Sequence, residues 1–350
     1  MKNKLLIVIV GVLLVVLAAC GGGSDTESTS SDSSSSKSSG ESVSLTFSHF
    51  WPSHHIVHTD VIEKLQSELA EKSDGRITLD LFPGNQLGNP DEHYELVVNG
   101  SADMSLSVHG YTPGRFPSTS VMDLPFIAKS SEEGSVIFSQ LYDEFEVLQN
   151  EHSDTTPLWL FTGEPNQILS VDKPIKSLSD LEGLTVRSPS PLASQLITEF
   201  GGVPVSMPVT EIYESLDKGV IDAAFAGIST INDMGLSDVV DYITIANISN
   251  SSMFAVMNTA KFESLSEEDQ NLIREIVADF AKETGAALDR AGQLGIDKAN
   301  EVGIPIHELS DSEIAEWEEV AAPVIDKWVE EMNASDVPGR DLYERAKEDR

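Results

Sequence analysis

The chain has 350 residues, 40% hydrophobic and 7% aromatic, with 58 acidic and 22 basic side chains and a formal net charge of −36. That length carries two domains with cores of their own, and the composition is that of a globular protein. A surface this acidic repels polyanions, so nucleic acid is excluded as a partner and a membrane is expected only through an anchor.

The first residues set the compartment. Met1 to Lys4 is short and basic, and Leu5 to Ala19 is an apolar run of 15 residues; a spanning helix needs about 20. The run closes on Leu17-Ala-Ala-Cys20. Residues 1–19 read as a secretory signal, and their end resembles the lipobox of bacterial lipoproteins, in which the cysteine is lipidated and becomes residue one. That resemblance implies a Cys20 lipid anchor on the outer face of the cytoplasmic membrane. Cys20 is the one cysteine of the sequence, which excludes a disulfide and a thiolate catalyst in the mature fold. Residues 20–42 are rich in Ser, Gly and acid, cannot build a core, and read as a flexible tether.

From Val43 the pattern becomes globular. Val43 to Ser48 alternates as a half-buried strand does, Ile56 to Asp74 has helical spacing, and Arg76 to Phe82 alternates again. Asn89 and Pro90 have the chemistry of a helix start that Gly100 would close. Ala102–Val108 and Val121–Ile127 read as strands, and Ser130–Asn150 as an amphipathic helix. The order then repeats, with strands at Pro157–Phe161, Leu184–Arg187, Val203–Met207, Ile221–Ala226 and Ser252–Met257, and helices at Pro191–Phe200 and Val209–Lys218. Ser266 opens a helical stretch that runs to about Val302, close to 55 Å at ~1.5 Å per residue. Ile304–Glu308 is a last strand, and Asp311–Met332 a helix with Trp317 and Trp328 on its core side. Alternating strands and helices point to an α/β protein with mostly parallel pairing. Two such halves, secreted and tethered, point to a two-domain clamshell that binds a ligand at the strand ends.

Two segments resemble a known family. GRITLDLFPGNQLGNPDEHYELVVNGSADMSL (Gly75 to Leu106) and PIKSLSDLEGLTVRSPSPLASQLITEFGGVPVSMPVTEIYESLDKGVIDAA (Pro174 to Ala224) are similar, in order and spacing, to two signatures of the DctP-type solute-binding proteins of TRAP (tripartite ATP-independent periplasmic) transporters. The resemblance covers roughly residues 43–340. It implies a periplasmic-binding-protein-like clamshell with crossing hinge strands and a long helix spanning both lobes. Lobe I would take residues 43–164 and 253–292, lobe II residues 165–252 and 293–341, with 342–350 a tail. It also implies capture of a small organic acid and its delivery to an ion-driven permease, with no catalysis and no cofactor.

Arg187 falls on the family arginine that clamps the ligand carboxylate, a task suited to a planar guanidinium that stays charged when desolvated. The chain departs from its relatives elsewhere. Asn166 stands where many have a second arginine, and Ala226 where they have an asparagine. These changes predict a monocarboxylate with an apolar or aromatic body. Trp51, His54 and His55, after the first strand, are candidate pocket residues; so are Ser107, His109 and Tyr111 around the end of the third, together with Ser190 and Phe225. FSHFWPSHHIVH (Phe47 to His58) holds four of the eight histidines. A competing expectation is therefore a zinc-uptake lipoprotein using His54, His55 and His58, although zinc needs three or four ligands. No G-x-S-x-G or H-E-x-x-H motif is present, so a hydrolase is not expected.

Overall fold

Two sheets organise the computed structural model, which describes residues 42–348. The signal segment, Cys20 and nearly all of the tether lie outside the described residues. The strands are β1 (Val43–His49), β2 (Ile77–Phe82), β3 (Met104–Val108), β4 (Thr155–Thr162), β5 (Gln167–Ser170), β6 (Thr185–Ser188), β7 (Val203–Ser206), β8 (Ala223–Ala226), β9 (Tyr242–Ile245), β10 (Ser252–Asn258) and β11 (Ile306–Glu308). One sheet has the order β2-β1-β3-β10-β4, the other β11-β9-β5-β8-β6-β7. The fold class is mixed α/β, as expected.

Pairing is parallel except at two strands. β10 is antiparallel to β3 and β4, and β5 is antiparallel to β8 and β9. These are the strands that enter one sheet directly from the other. A chain that crosses between sheets arrives from the cleft end and so runs against its new neighbours. The two crossings lie side by side: Gly163 N donates to Ser251 O at 2.8 Å, Asn166 N to Ser249 O at 2.7 Å, and Ile248 N to Asn166 O at 3.1 Å. They are the hinge strands that the sequence led us to expect.

A third connection is the helix Phe280–Val302. Its Asp289 carboxylate accepts from Ser131 N at 2.7 Å and Glu132 N at 3.0 Å, capping the helix Ser131–Glu144 beside the first sheet. Gly285 meets the backbone of Ser131 and Glu132, while Gly295 meets the carbonyl of Ile228, just past β8 in the second sheet. One helix thus touches both lobes. The single helix read from Ser266 to Val302 is corrected, however. It is two helices, Glu267–Val277 and Phe280–Val302, because Asp279 leaves helical backbone at φ −102°, ψ 2°. The spanning piece is 23 residues long, about 35 Å at ~1.5 Å per residue.

Other local expectations also change. Val121–Ile127 is not a strand: Thr119–Asp123 is a 3-10 turn, and only Pro125 bridges to Ser249. The Asn89–Gly100 helix contracts to His93–Val98, and the Ser130–Asn150 helix breaks at Phe145. The expected tail is a helix, Gly339–Glu348, with Leu342 and Ala346 buried. Trp317 and Trp328 are core residues, and the Trp328 indole N–H donates to Ser120 Oγ at 2.9 Å.

Candidate functional site

The cleft ends of β1, β3, β6 and β8 and the two crossings converge on a cavity of about 80 Å³. This is where an open α/β sheet places its ligand. Phe50, Trp51 and His55 follow β1, Val108 and Tyr111 come from the end of β3, and Arg187 lies on β6. Ala226, Gly227 and Ser229 follow β8; Glu164 and Asn166 come from one crossing and Ser251 from the other. Leu288 of the spanning helix closes one wall.

Arg187 is 2% exposed. Its Nε donates to Met207 O at 2.9 Å, Nη1 to Phe225 O at 2.8 Å and Nη2 to Tyr111 Oη at 3.1 Å. Burial lowers its pKa from the ordinary arginine value, with Tyr111 and Glu211 opposing; a guanidinium nonetheless stays charged. These partners are two carbonyls and a phenol, none of them a carboxylate. Of the five N–H donors of a guanidinium, two are left over. A buried cation with spare donors and no carboxylate among its hydrogen-bond partners is costly unless an anion arrives.

Tyr111 reaches from the first sheet into the second. Its hydroxyl accepts from Arg187 and also from Val209 N at 3.0 Å. Trp51 stacks on His55, centroids 4.6 Å apart and planes 9° from parallel. His55 Nδ1 accepts from Val57 N at 3.1 Å, which puts the proton on Nε2, 3.4 Å from Asp233 Oδ2. Desolvation, helped by His54 and His58, pulls the His55 pKa down to about 3, so the ring is neutral. Asn166 donates to Ser249 O at 3.0 Å and lines the cavity with a polar but uncharged face.

The structure brings Arg187, Trp51, His55, Tyr111 and Asn166 together and leaves the other candidates elsewhere. His54 is exposed outside the lining, its Nε2 3.3 Å from Asp233 O. Ser107 is buried and donates to Pro90 O at 2.6 Å. His109 is buried against His152, Nε2 to Nε2 2.9 Å. Ser190 caps the helix Pro191–Glu199, accepting from Ala193 N at 3.3 Å. The Phe225 ring is fully buried in the core, and only its carbonyl serves the site. Glu164, Ser229 and Asp233 line the cavity without having been singled out. Glu164-Pro165 reads locally as a solvated loop, and nothing in the spacing signals its burial.

The zinc expectation gains no support. His58 Nδ1 faces His49 Nε2 at 2.9 Å, while His55 turns to Asp233. Among the described residues no group of three or more His, Cys, Asp or Glu is placed to hold a metal ion.

Comparison with known proteins settles the family. The family model described as bacterial extracellular solute-binding protein, family 7 (DctP), matches residues 47–332. The chain belongs to this family. It is 28% identical to a solute-binding protein of Chromohalobacter salexigens over 77% of this chain and 80% of that one. A TRAP solute-binding protein from Rhodoferax ferrireducens T118, solved with copurified benzoate, superposes with a TM-score of 0.83 at 26% identity, covering 87% of this chain and 97% of that one. A marine metagenome TRAP solute-binding protein specific for aromatic acid ligands, solved with 3-hydroxybenzoate, also gives 0.83, at 28% identity over 88% and 98%. The DctP chain described here is thus an extracytoplasmic solute-binding protein of the TRAP type, a receptor and not an enzyme.

Proposed function

We propose that this DctP protein captures a small monocarboxylate with an apolar or aromatic body and delivers it to a TRAP permease. Lipid on Cys20 and the tether of residues 20–42 would hold it at the outer face of the membrane. The observation that carries the ligand class is Arg187: a buried cation with no carboxylate among its hydrogen-bond partners, facing a cavity walled by Phe50, Trp51, Val108 and Leu288. Among the described residues no second Lys or Arg lines that cavity, so a second carboxylate would be buried without a cation. Two of the superposed structures, one solved with copurified benzoate and one specific for aromatic acid ligands, support this reading. Ligand touching both lobes favours the closed arrangement, and that closed form is the one the permease would read.

Thermal-shift measurements on the purified chain test it, with mono-, di-, keto- and aromatic carboxylates and parallel zinc and EDTA wells. A ligand that binds only the native chain raises its melting temperature by mass action. An aromatic or apolar monocarboxylate is expected to give the largest shift. Arg187→Ala should remove it, at a cost of ~2–5 kcal/mol, or about 30-fold or more in affinity. Tighter binding of succinate or malate, or a shift with zinc alone, would sink the proposal.

A further inference from the structure

Glu164 is a buried ionisable group of the ligand cavity whose hydrogen bonds come from Ser229 and not from a Lys, Arg or His. It sits on the crossing between β4 and β5, held by one residue: Ser229 N donates to Oε1 at 3.2 Å and the Ser229 hydroxyl to Oε2. Two glycines make room for it. A Cβ at Gly227 would lie 2.6 Å from Oε2, and one at Gly292 of the spanning helix 2.7 Å from Oε1. The carboxyl is therefore clasped between the β8 loop and the helix while it lines the same void as Arg187.

Among the described residues no Lys, Arg or His forms an ion pair with it. The ionisable groups that face it are Asp233, beyond Ser229, and Asp289, on the helix; both oppose its ionisation. Desolvation is the larger cause, and together they push its pKa up to about 8. His55, beside Asp233, is neutral and supplies no counter-charge. At neutral pH Glu164 is a carboxylic acid, offering one O–H donor and one carbonyl acceptor. A buried cavity that holds such a group discriminates for a ligand that can satisfy it.

Resting on the monocarboxylate reading above, we propose that Glu164 is a specificity residue that hydrogen-bonds a ligand hydroxyl, so the solute is a hydroxylated monocarboxylate. Arg187 takes the carboxylate and Glu164 the hydroxyl, which orients the body between them.

Calorimetric titration of the full chain with matched acids tests it: benzoate against its monohydroxylated isomers, and phenylacetate against the hydroxyphenylacetates. Wild type should prefer one hydroxylated isomer by about tenfold, the ~1.4 kcal/mol of one hydrogen bond to a buried group. Glu164→Leu should erase that preference while parent-acid binding persists. Glu164→Gln, which keeps the shape and a donor, should retain most of it and guards against a Leu variant that fails to fold. In wild type the hydroxy-acid affinity should fall above pH 8, as an ionised Glu164 repels the bound carboxylate, and the Gln variant should lose that dependence. Equal affinity for matched pairs, an unchanged preference in the Leu variant, or tighter binding of aminomethylbenzoate with proton release would each overturn the role of Glu164. Failure of every carboxylate to bind would instead overturn the monocarboxylate reading beneath it.

Discussion

The Tyr111 hydroxyl, carried on the first sheet, accepts a hydrogen bond from Arg187 Nη2 on the second at 3.1 Å. The same oxygen accepts from Val209 N, so one phenol links the guanidinium, the backbone after β7 and the opposite lobe. Tyr111→Phe removes a bond to a charged group, worth ~1.5–3 kcal/mol. We expect the unliganded chain to melt several degrees lower, and ligand affinity to fall about 10-fold or more as the guanidinium loses its positioning. A calorimetric titration beside a thermal melt checks both halves.

Acid should destabilise the fold through its histidines. Burial lowers the pKa of His49, His55, His58, His93, His109 and His152, to about 3 for His55 and about 4 for His152. In the unfolded chain they titrate near ~6.5. Below that pH the unfolded state binds more protons, so stability is full above about 6.5 and falls as pH drops toward the folded values. Asp123, raised to about 6 by burial, Glu164, raised to about 8, and Asp233, also raised, oppose this, three groups against six. Melting temperature should fall steadily from pH 7 to pH 5, and His152→Gln, provided it folds, should flatten the slope. A rising melting temperature over that window would contradict the assignment.

Glu164 works in the other direction. Its folded pKa lies above its unfolded one, so the unfolded state releases the proton first and stability drops as pH rises from about 4.5 to about 8. Glu164→Gln removes that loss. The variant should match wild type at pH 4 and melt several degrees higher at pH 9.

Gly295 of the spanning helix has no room for a side chain, since a Cβ would strike the Ile228 carbonyl and crowd Ser229 Cα at 3.0 Å. Backbone cannot yield as a flexible side chain would. Gly295→Ala should cost ~1–3 kcal/mol by overpacking and weaken ligand binding through the displaced Ser229, the partner of Glu164. Gly303, at φ +82° with nothing near its Cβ position, is strained by substitution for the separate reason that L side chains disfavour that backbone. Its Ala variant should lose stability but keep affinity.

The sequence disclosed the periodic parts of this architecture and little of what is short or irregular. β1, β2 and β10 are six or seven residues long and show plainly. β5 (Gln167–Ser170) and β9 (Tyr242–Ile245) have four residues each and go unread, whereas β6, β7 and β8, equally short, show because helix and glycine signals bound them. Val121–Ile127 looks like a strand because it is apolar, but its apolar side chains pack from a turn. Arg187 was found because it ends a strand inside a family signature. Ser190 was misplaced by the same signature, although Ser before Pro at a helix start is already a capping pattern. Glu164 was invisible because its burial is made by Gly227 and Gly292, which lie 63 and 128 residues further along the chain.

The antiparallel entry of β10 has a consequence for how the protein comes into being. β3 and β4 both pair with Ser252–Asn258, so their inner edges stay bare until that strand has been made. A chain of 251 residues has finished nearly all of the second sheet and cannot close the first. Its open edges are templates for wrong partners, and the pairings that cover them span about 100 residues to β4 and about 150 to β3 and are slow to form. Elongation past Asn258 is therefore the step that converts an association-prone intermediate into one able to fold, and truncations short of it should aggregate rather than yield a free first lobe.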